Sequence, residues 1–244
     1  MKLCAIIGSN SIKSNTYIFT KNVVNELEKS IENLEVTYIN LKDYNIEPCK
    51  NCLYCKRNTS CIIDTKDNMN YIREVLIGSD IIIFASPVYV NNISGTMKNF
   101  IDRMHSWTHI MRLAGKYGIV LATASQGGVS FVKDYLNTVF TYLGVDIIGG
   151  YHYYTDIKEE EENFVIEKIV NETIDKTSKD KFVSTFIQEY SFQHFKKIFS
   201  KYLRLGEEKI IDEEANFWIR NNLINYIDYQ SVLNDVKLGK LKIK

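Results

Sequence analysis

The sequence predicts an α/β fold, a doubly wound parallel sheet of five strands in the order 2-1-3-4-5, with a C-terminal helical extension. Two observations point there. Across roughly the first 150 residues, short β-branched runs alternate with amphipathic stretches, which is the pattern of parallel strands joined by right-handed helical crossovers. The strand runs are also apolar at nearly every position, as strands covered on both faces must be.

The elements follow in order. Leu3 to Gly8 reads as a buried first strand, and Tyr17, Ile18, Val23, Val24, Leu27 and Ile31 then recur at mostly helical spacing. Leu34 to Leu41 alternates as a second strand, and a cysteine-bearing segment precedes a helix around Asp67 to Ile77. Ser79 to Ser86, carrying Ile81-Ile82-Ile83-Phe84, is the clearest central strand, with a helix from Ser94 to His105 after it. Tyr117 to Thr123, Val129 to Leu143 and Val145 to Tyr154 supply a fourth strand, a helix and a fifth strand. In such sheets ligands bind beyond the carboxyl ends of the strands, at the switch point between strands 1 and 3.

These elements define a unit over residues 1–155, with a cysteine loop at 48–62, and leave 156–244 as the helical extension. There, Lys158-Glu159-Glu160-Glu161-Glu162 opens a helix whose acidic first turn suits its positive dipole end. Phe182, Phe186, Phe192, Phe195, Phe199 and Tyr202 suggest a second helix ended by Gly206, and Phe217, Trp218, Leu223, Ile224 and Ile227 a last one.

Thirty basic and thirty acidic residues cancel, which argues against electrostatic capture of nucleic acid or an anionic membrane. No apolar run reaches the ~18 residues of a membrane helix. The short apolar N-terminus enters a loop without a cleavage site for a signal peptide, so a cytoplasmic protein is expected. Four of the five cysteines fall between positions 49 and 61. Such clustering points to metal or redox chemistry rather than to a secreted disulfide framework.

Three loops and one cluster carry chemistry. Gly8-Ser9-Asn10-Ser11-Ile12-Lys13-Ser14-Asn15-Thr16 joins the first strand to the first helix. Its hydroxyls and helix-terminal N–H groups suit a phosphate, although the same residues also make an ordinary N-cap. It is neither a Walker A loop, which would require Gly-Lys-Ser/Thr, nor a G-x-G-x-x-G fingerprint. Ser86-Pro87-Val88-Tyr89-Val90-Asn91 follows the central strand, and Thr123-Ala124-Ser125-Gln126-Gly127-Gly128 follows the fourth. Cys49-x2-Cys52-x2-Cys55-x5-Cys61 has the spacing of a 4Fe-4S loop. Zinc, a disulfide or free thiols remain open alternatives, and Cys4, in the first strand, reads as a small core hydrophobe.

Together these segments resemble the NADPH-dependent FMN reductase and iron-sulfur flavoprotein family, which is flavodoxin-like in fold. The family's phosphate loop is matched at Gly8, Ser9, Ser14, Asn15 and Thr16, with Asn10 and Ser11 in place of a usual Pro-Arg pair. Ser86-Pro87-Val88-Tyr89 matches its Ser-Pro-x-Tyr, and Lys98-Asn99-Phe100-Ile101-Asp102-Arg103 its Lys-x-Phe-x-Asp-Arg. The resemblance implies FMN held by Ser9, Ser11, Ser14, Asn15 and Thr16 at the phosphate. Pro87, Val88, Tyr89, Val90 and Asn91 would lie against the ring, with Ser125, Gln126 and Gly127 at its pyrimidine edge. It also implies Cys49, Cys52, Cys55 and Cys61 as ligands of a 4Fe-4S cluster, NAD(P)H as cosubstrate, no catalytic side chain, and a homodimer or homotetramer. Two rival readings are a ferredoxin-linked electron carrier without NAD(P)H turnover, and a zinc-binding or redox-responsive module. Lys98, Asp102 and Arg103 also admit a plain reading as an exposed charged face. Trp107, Trp218 and the aromatic stripe read as packing, and none of the four histidines has ligand-like spacing with another.

Overall fold

The computed structural model describes residues 1–244 except 59, 157, 158, 180, 205–211 and 244. Strands β1 (Lys2–Ile7), β2 (Glu35–Asn40), β3 (Ile81–Pro87), β4 (Tyr117–Ala124) and β5 (Asp146–Tyr154) form one parallel sheet. Its order is β2-β1-β3-β4-β5, as the sequence predicts. Alternate residues of the inner strands feed two cores. Ala5, Ile83 and Leu121 face one side with α1 (Asn15–Ser30) and α7 (Glu159–Ser178). Ile6, Phe84 and Val120 face the other with α3 (Met69–Gly78), α4 (Gly95–Asp102) and α6 (Val129–Leu143). On that second side Phe84 stacks on Phe140 at 4.2 Å and meets Phe100 edge-on at 5.7 Å. Cys4 is fully buried there, and burial pushes its thiol up to about 12.

The extension continues the α1-side core. α8 (Phe186–Phe199) starts from a capping box of Thr185 and Gln188, and Gln188 Nε2 also donates to Val145 O at 2.9 Å. Trp218 is fully buried, 5.0 Å from the Phe192 ring and 5.6 Å from that of Phe199, and its Nε1 donates to His109 O. Trp218 therefore belongs to packing, whereas Phe186 of the stripe faces outward. Tyr229 OH donates to Gly144 O at 2.8 Å in a fully buried setting. Tyr229→Phe is expected to cost about 1–3 kcal/mol, read as a lowered urea midpoint. A loss within experimental error would show that this bond does not hold the extension.

Two helices differ from expectation. The stretch from Ser94 divides, with α4 ending at Asp102 and a separate α5 over His105–His109, because Arg103 turns into a buried ion-pair network. The last helix is α9 (Glu213–Arg220), a 3₁₀ turn at Leu223–Asn225 and α10 (Tyr229–Lys237). Asn222 adopts φ 58°, a left-handed turn that Asn tolerates, and Asp228 then caps α10 through the Ser231 N–H. Lys158 and Gly206 lie outside the described residues. No helix among the described residues is long and apolar enough to cross a membrane.

Candidate functional site

The structure brings the loops after β1, β3 and β4 to one edge of the sheet. Ser14 caps α1 by accepting the Tyr17 N–H at 3.1 Å, and its hydroxyl lies 2.5 Å from that of Ser9. The first N–H groups of α1, at Asn15 and Thr16, have no intrahelical acceptor and sit at the positive end of the helix. Ser11 is exposed and its Oγ accepts the Lys13 N–H, which shapes the turn. Thr16 differs from the others. Its hydroxyl is buried and lies 2.5 Å from Thr123 Oγ1 at the end of β4, so this side chain ties two loops together.

The β3 loop is joined to the same edge. Val88 N–H donates to Thr123 O at 2.8 Å, and Tyr89 and Asn92 exchange backbone hydrogen bonds across a two-residue turn. Val90 and Asn91 both have positive φ in that turn, and Val90 is 99% exposed. Ser125, Gln126 and Gly127 are exposed beside it. Two glycines permit this convergence. A Cβ at Gly8 would lie 2.8 Å from both Met97 Cβ and Ser94 Oγ, and one at Gly128 would lie 2.5 Å from Asn91 Oδ1. Gly128 also needs its φ of +82°. Clustered hydroxyls, unpaired helix-terminal amides and an exposed Pro-x-Tyr turn fit a ligand with a phosphate at one end and a flat ring at the other. A cavity of about 930 Å³ between α1 and α7 holds none of these residues.

The cysteine loop is the second feature. Cys49 and Cys52 are exposed, Cys55 and Cys61 are half-buried, and all four are free thiols. Among the described residues, no three Cys, His, Asp or Glu side chains gather where they could hold a metal ion. The donor set fits a thiolate-ligated centre in number and chemistry, and closing on one would require the loop to draw its thiols together.

What fixes the loop is Arg103, whose side chain is wholly buried. Its Nη2 donates to Asp64 Oδ1 at 2.7 Å, and its Nη1 to Glu47 O at 2.7 Å and to Asp67. Asp64 also accepts the Cys61 N–H at 3.0 Å and pairs with Arg73. Arg103 therefore grips the chain before Cys49 and after Cys61. The exposed-face reading of this motif holds for the Lys98–Asp102 pair and fails for Arg103. Asp64 and Asp67 flanking the loop were the available signal, but only the fold shows that one guanidinium reaches both.

The extension covers the loop from the other side. α2 (Tyr54–Asn58), which carries Cys55, packs on α9, and Lys56 Nζ lies 3.3 Å from Asp212 Oδ2. Burial, then the Glu214 charge, pushes the Cys55 thiol up. Glu214 is itself buried, with Oε2 at 3.0 Å from His109 Nδ1. His109 thus gains a partner that its sequence spacing did not disclose.

This fold is a doubly wound α/β sheet, and its three motif-bearing loops converge at the β1/β3 switch point. The profile of the NADPH-dependent FMN reductase family matches residues 1–160, and the chain belongs to that family. An iron-sulfur flavoprotein of Archaeoglobus fulgidus is 33% identical over 150 residues, covering 61% of this chain and 66% of that protein. Another, of Methanocaldococcus jannaschii, is 26% identical over 151 residues, covering 61% of this chain and 76% of the relative. Among solved structures, RosB with a bound riboflavin-phosphate intermediate superposes with TM-score 0.60 at 14% identity, over 86% of this chain and 89% of that one. An FMN-dependent NADH-azoreductase from Bacillus anthracis gives 0.54 at 15%, over 72% and 98%. At these identities the structures share the fold.

Proposed function

We propose that this chain is an FMN-dependent oxidoreductase that takes electrons from NAD(P)H. The observation that carries the reading is the convergence of three motif-bearing loops on one sheet edge, supported by the family match over residues 1–160. FMN, when bound, supplies the hydride-accepting and electron-releasing chemistry. The chain's own residues bind and orient. Ser9, Ser11, Ser14, Asn15 and Thr16 hold the phosphate, with Thr16 contributing its N–H because its hydroxyl is engaged by Thr123. Pro87, Val88, Tyr89, Val90 and Asn91 form the wall for the ring, and Ser125, Gln126 and Gly127 the edge. No side-chain acid or base is required. The wholly exposed Val90 turn supports assembly as a homodimer or homotetramer in which a second subunit covers this edge.

A second reading adds a 4Fe-4S cluster on Cys49, Cys52, Cys55 and Cys61, so that electrons leave or arrive singly, through a ferredoxin-like donor in the limiting case. Four free thiols on a loop gripped at both ends favour it, as do the names of the two relatives. In this reading residues 1–155 bind the flavin, and 156–244 shield Cys55. Protein produced anaerobically with iron should show flavin absorption and about four irons per chain if the cluster forms. Flavin without iron would leave the reductase and remove the cluster. Bound zinc in place of iron would assign the loop to metal-responsive chemistry.

A further inference from the structure

A second concave region lies away from the loops after β1, β3 and β4. A cleft of about 840 Å³ opens between the cysteine loop, α3 and α5 on one side and α9 with the C-terminal segment on the other. That volume is in the range of pockets that hold small organic ligands. Its lining sets four cations, Arg73, Arg112, Arg220 and Lys242, against two carboxylates, Asp64 and Glu74. Arg73 is matched by Asp64, and Arg220 by Glu213 at 2.5 Å.

Arg112 is not matched among the described residues. Its guanidinium makes no hydrogen bond or ion pair among the described residues, and Nη1 is buried without a partner. It lies 6.0 Å from the centre of the Trp107 ring and 5.5 Å from that of Phe217. Arg73, 7% exposed, also approaches the Trp107 ring, at 5.6 Å, and leaves its Nε unpaired. Buried donors are nearly always satisfied by a partner. The ring faces offset part of the cost of leaving one unpaired. Burial holds the Arg112 guanidinium below its ordinary range, and burial followed by the Arg103 charge brings Arg73 down to about 10. An anion in the cleft would answer the Arg112 charge.

We propose that this cleft binds a small organic anion, an oxyanion carried on a planar apolar body, with Arg112 as its ionic partner. Ile77, Ile110 and Leu241, with the edges of Trp107 and Phe217, take the body, and the oxyanion faces Arg112. Phe217 comes from α9, so the helical extension completes the site, and Ser60 and Asp64 place it directly against the cysteine loop. The role is independent of the flavin reading, because no phosphate-loop, Pro-x-Tyr or Gln126 residue lines the cleft.

Calorimetric titration of the protein, in excess FMN, with benzoate, phenyl phosphate and inorganic phosphate tests this. Flavin absorbance read in parallel separates cleft binding from displacement of FMN. The expected result is one benzoate or phenyl phosphate per chain, bound with flavin retained. Arg112→Gln should weaken it by roughly tenfold or more, and Arg112→Lys by less. Without anion, Arg112→Gln should melt no lower than the natural protein, since it removes an uncompensated charge. Binding of none of the three probes would overturn the proposal. So would a lowered melting temperature in Arg112→Gln, which makes the guanidinium a packing element. Inorganic phosphate binding as tightly as phenyl phosphate would overturn the planar body.

Discussion

Arg103→Met is expected to destabilise the protein by about 3–5 kcal/mol, because it leaves Asp64 and Asp67 buried without their shared cation. The loop should loosen at both ends, since Glu47 O and the Asp64 that receives the Cys61 N–H lose their common anchor. Urea unfolding gives the stability loss, and limited proteolysis within 48–62 the loosening. Lys98→Met, one turn away in the same motif, removes only an exposed pair and should change stability by less than about 1 kcal/mol. Equal effects of the two substitutions would contradict the assignment of Arg103.

The same network has a pH signature. Burial alone would raise the Asp67 carboxyl, but the Arg103 hydrogen bond and the Met69 and Glu47 amides outweigh it and hold it below the ordinary carboxylate range. A depressed carboxyl contributes its full stability above its unfolded pKa and loses it as pH falls through the folded one. The network is therefore complete at neutral pH and fails only in acid. Asp67→Asn should flatten the acid limb of the stability profile.

Ser14→Asp is expected to produce the largest loss of FMN affinity of any single change at the phosphate loop. Asp is as good an N-cap as Ser and suits the helix dipole, so α1 should keep its stability. A carboxylate at this position meets the flavin phosphate with like charge and also removes the hydroxyl now 2.5 Å from Ser9 Oγ. Ser14→Ala alone should weaken binding by at least about tenfold, from the loss of one charge-assisted hydrogen bond. Thr16→Val should cost binding less than either, since that hydroxyl already serves Thr123. Fluorescence titration of FMN, with melting temperatures on the same samples, checks this order. An unchanged affinity in Ser14→Asp would remove the phosphate loop from the site.

The sheet order was legible because parallel strands buried on both faces leave a simple mark, as in Ile81-Ile82-Ile83-Phe84. Loop positions follow from the strand order, which is why the sequence already sets the loops of Ser9, Tyr89 and Gln126 at one sheet edge. Other features depend on tertiary distance. Arg103 reads as one more surface charge beside Lys98 until the fold brings Asp64 and Asp67, 39 and 36 residues away, onto it. Thr16 reads as a phosphate ligand, and only the packing of β4 shows its hydroxyl already engaged. The break at Asn222 is hidden because Phe217 and Trp218 before it and Leu223 and Ile224 after it are buried just as a continuous helix would bury them. His109 and Glu214 stand 105 residues apart, beyond any spacing rule.

The central claim is that FMN at this sheet edge accepts electrons from a nicotinamide cofactor. Anaerobic titration of the FMN-loaded protein with NADPH, and separately with NADH, reads it directly from flavin absorbance. At least one of them should bleach the flavin stoichiometrically, and Ser14→Asp protein should show no bound flavin to bleach. Flavin that binds at the loop yet stays oxidised with both donors would contradict the reductase and leave the chain as an electron carrier fed by another protein.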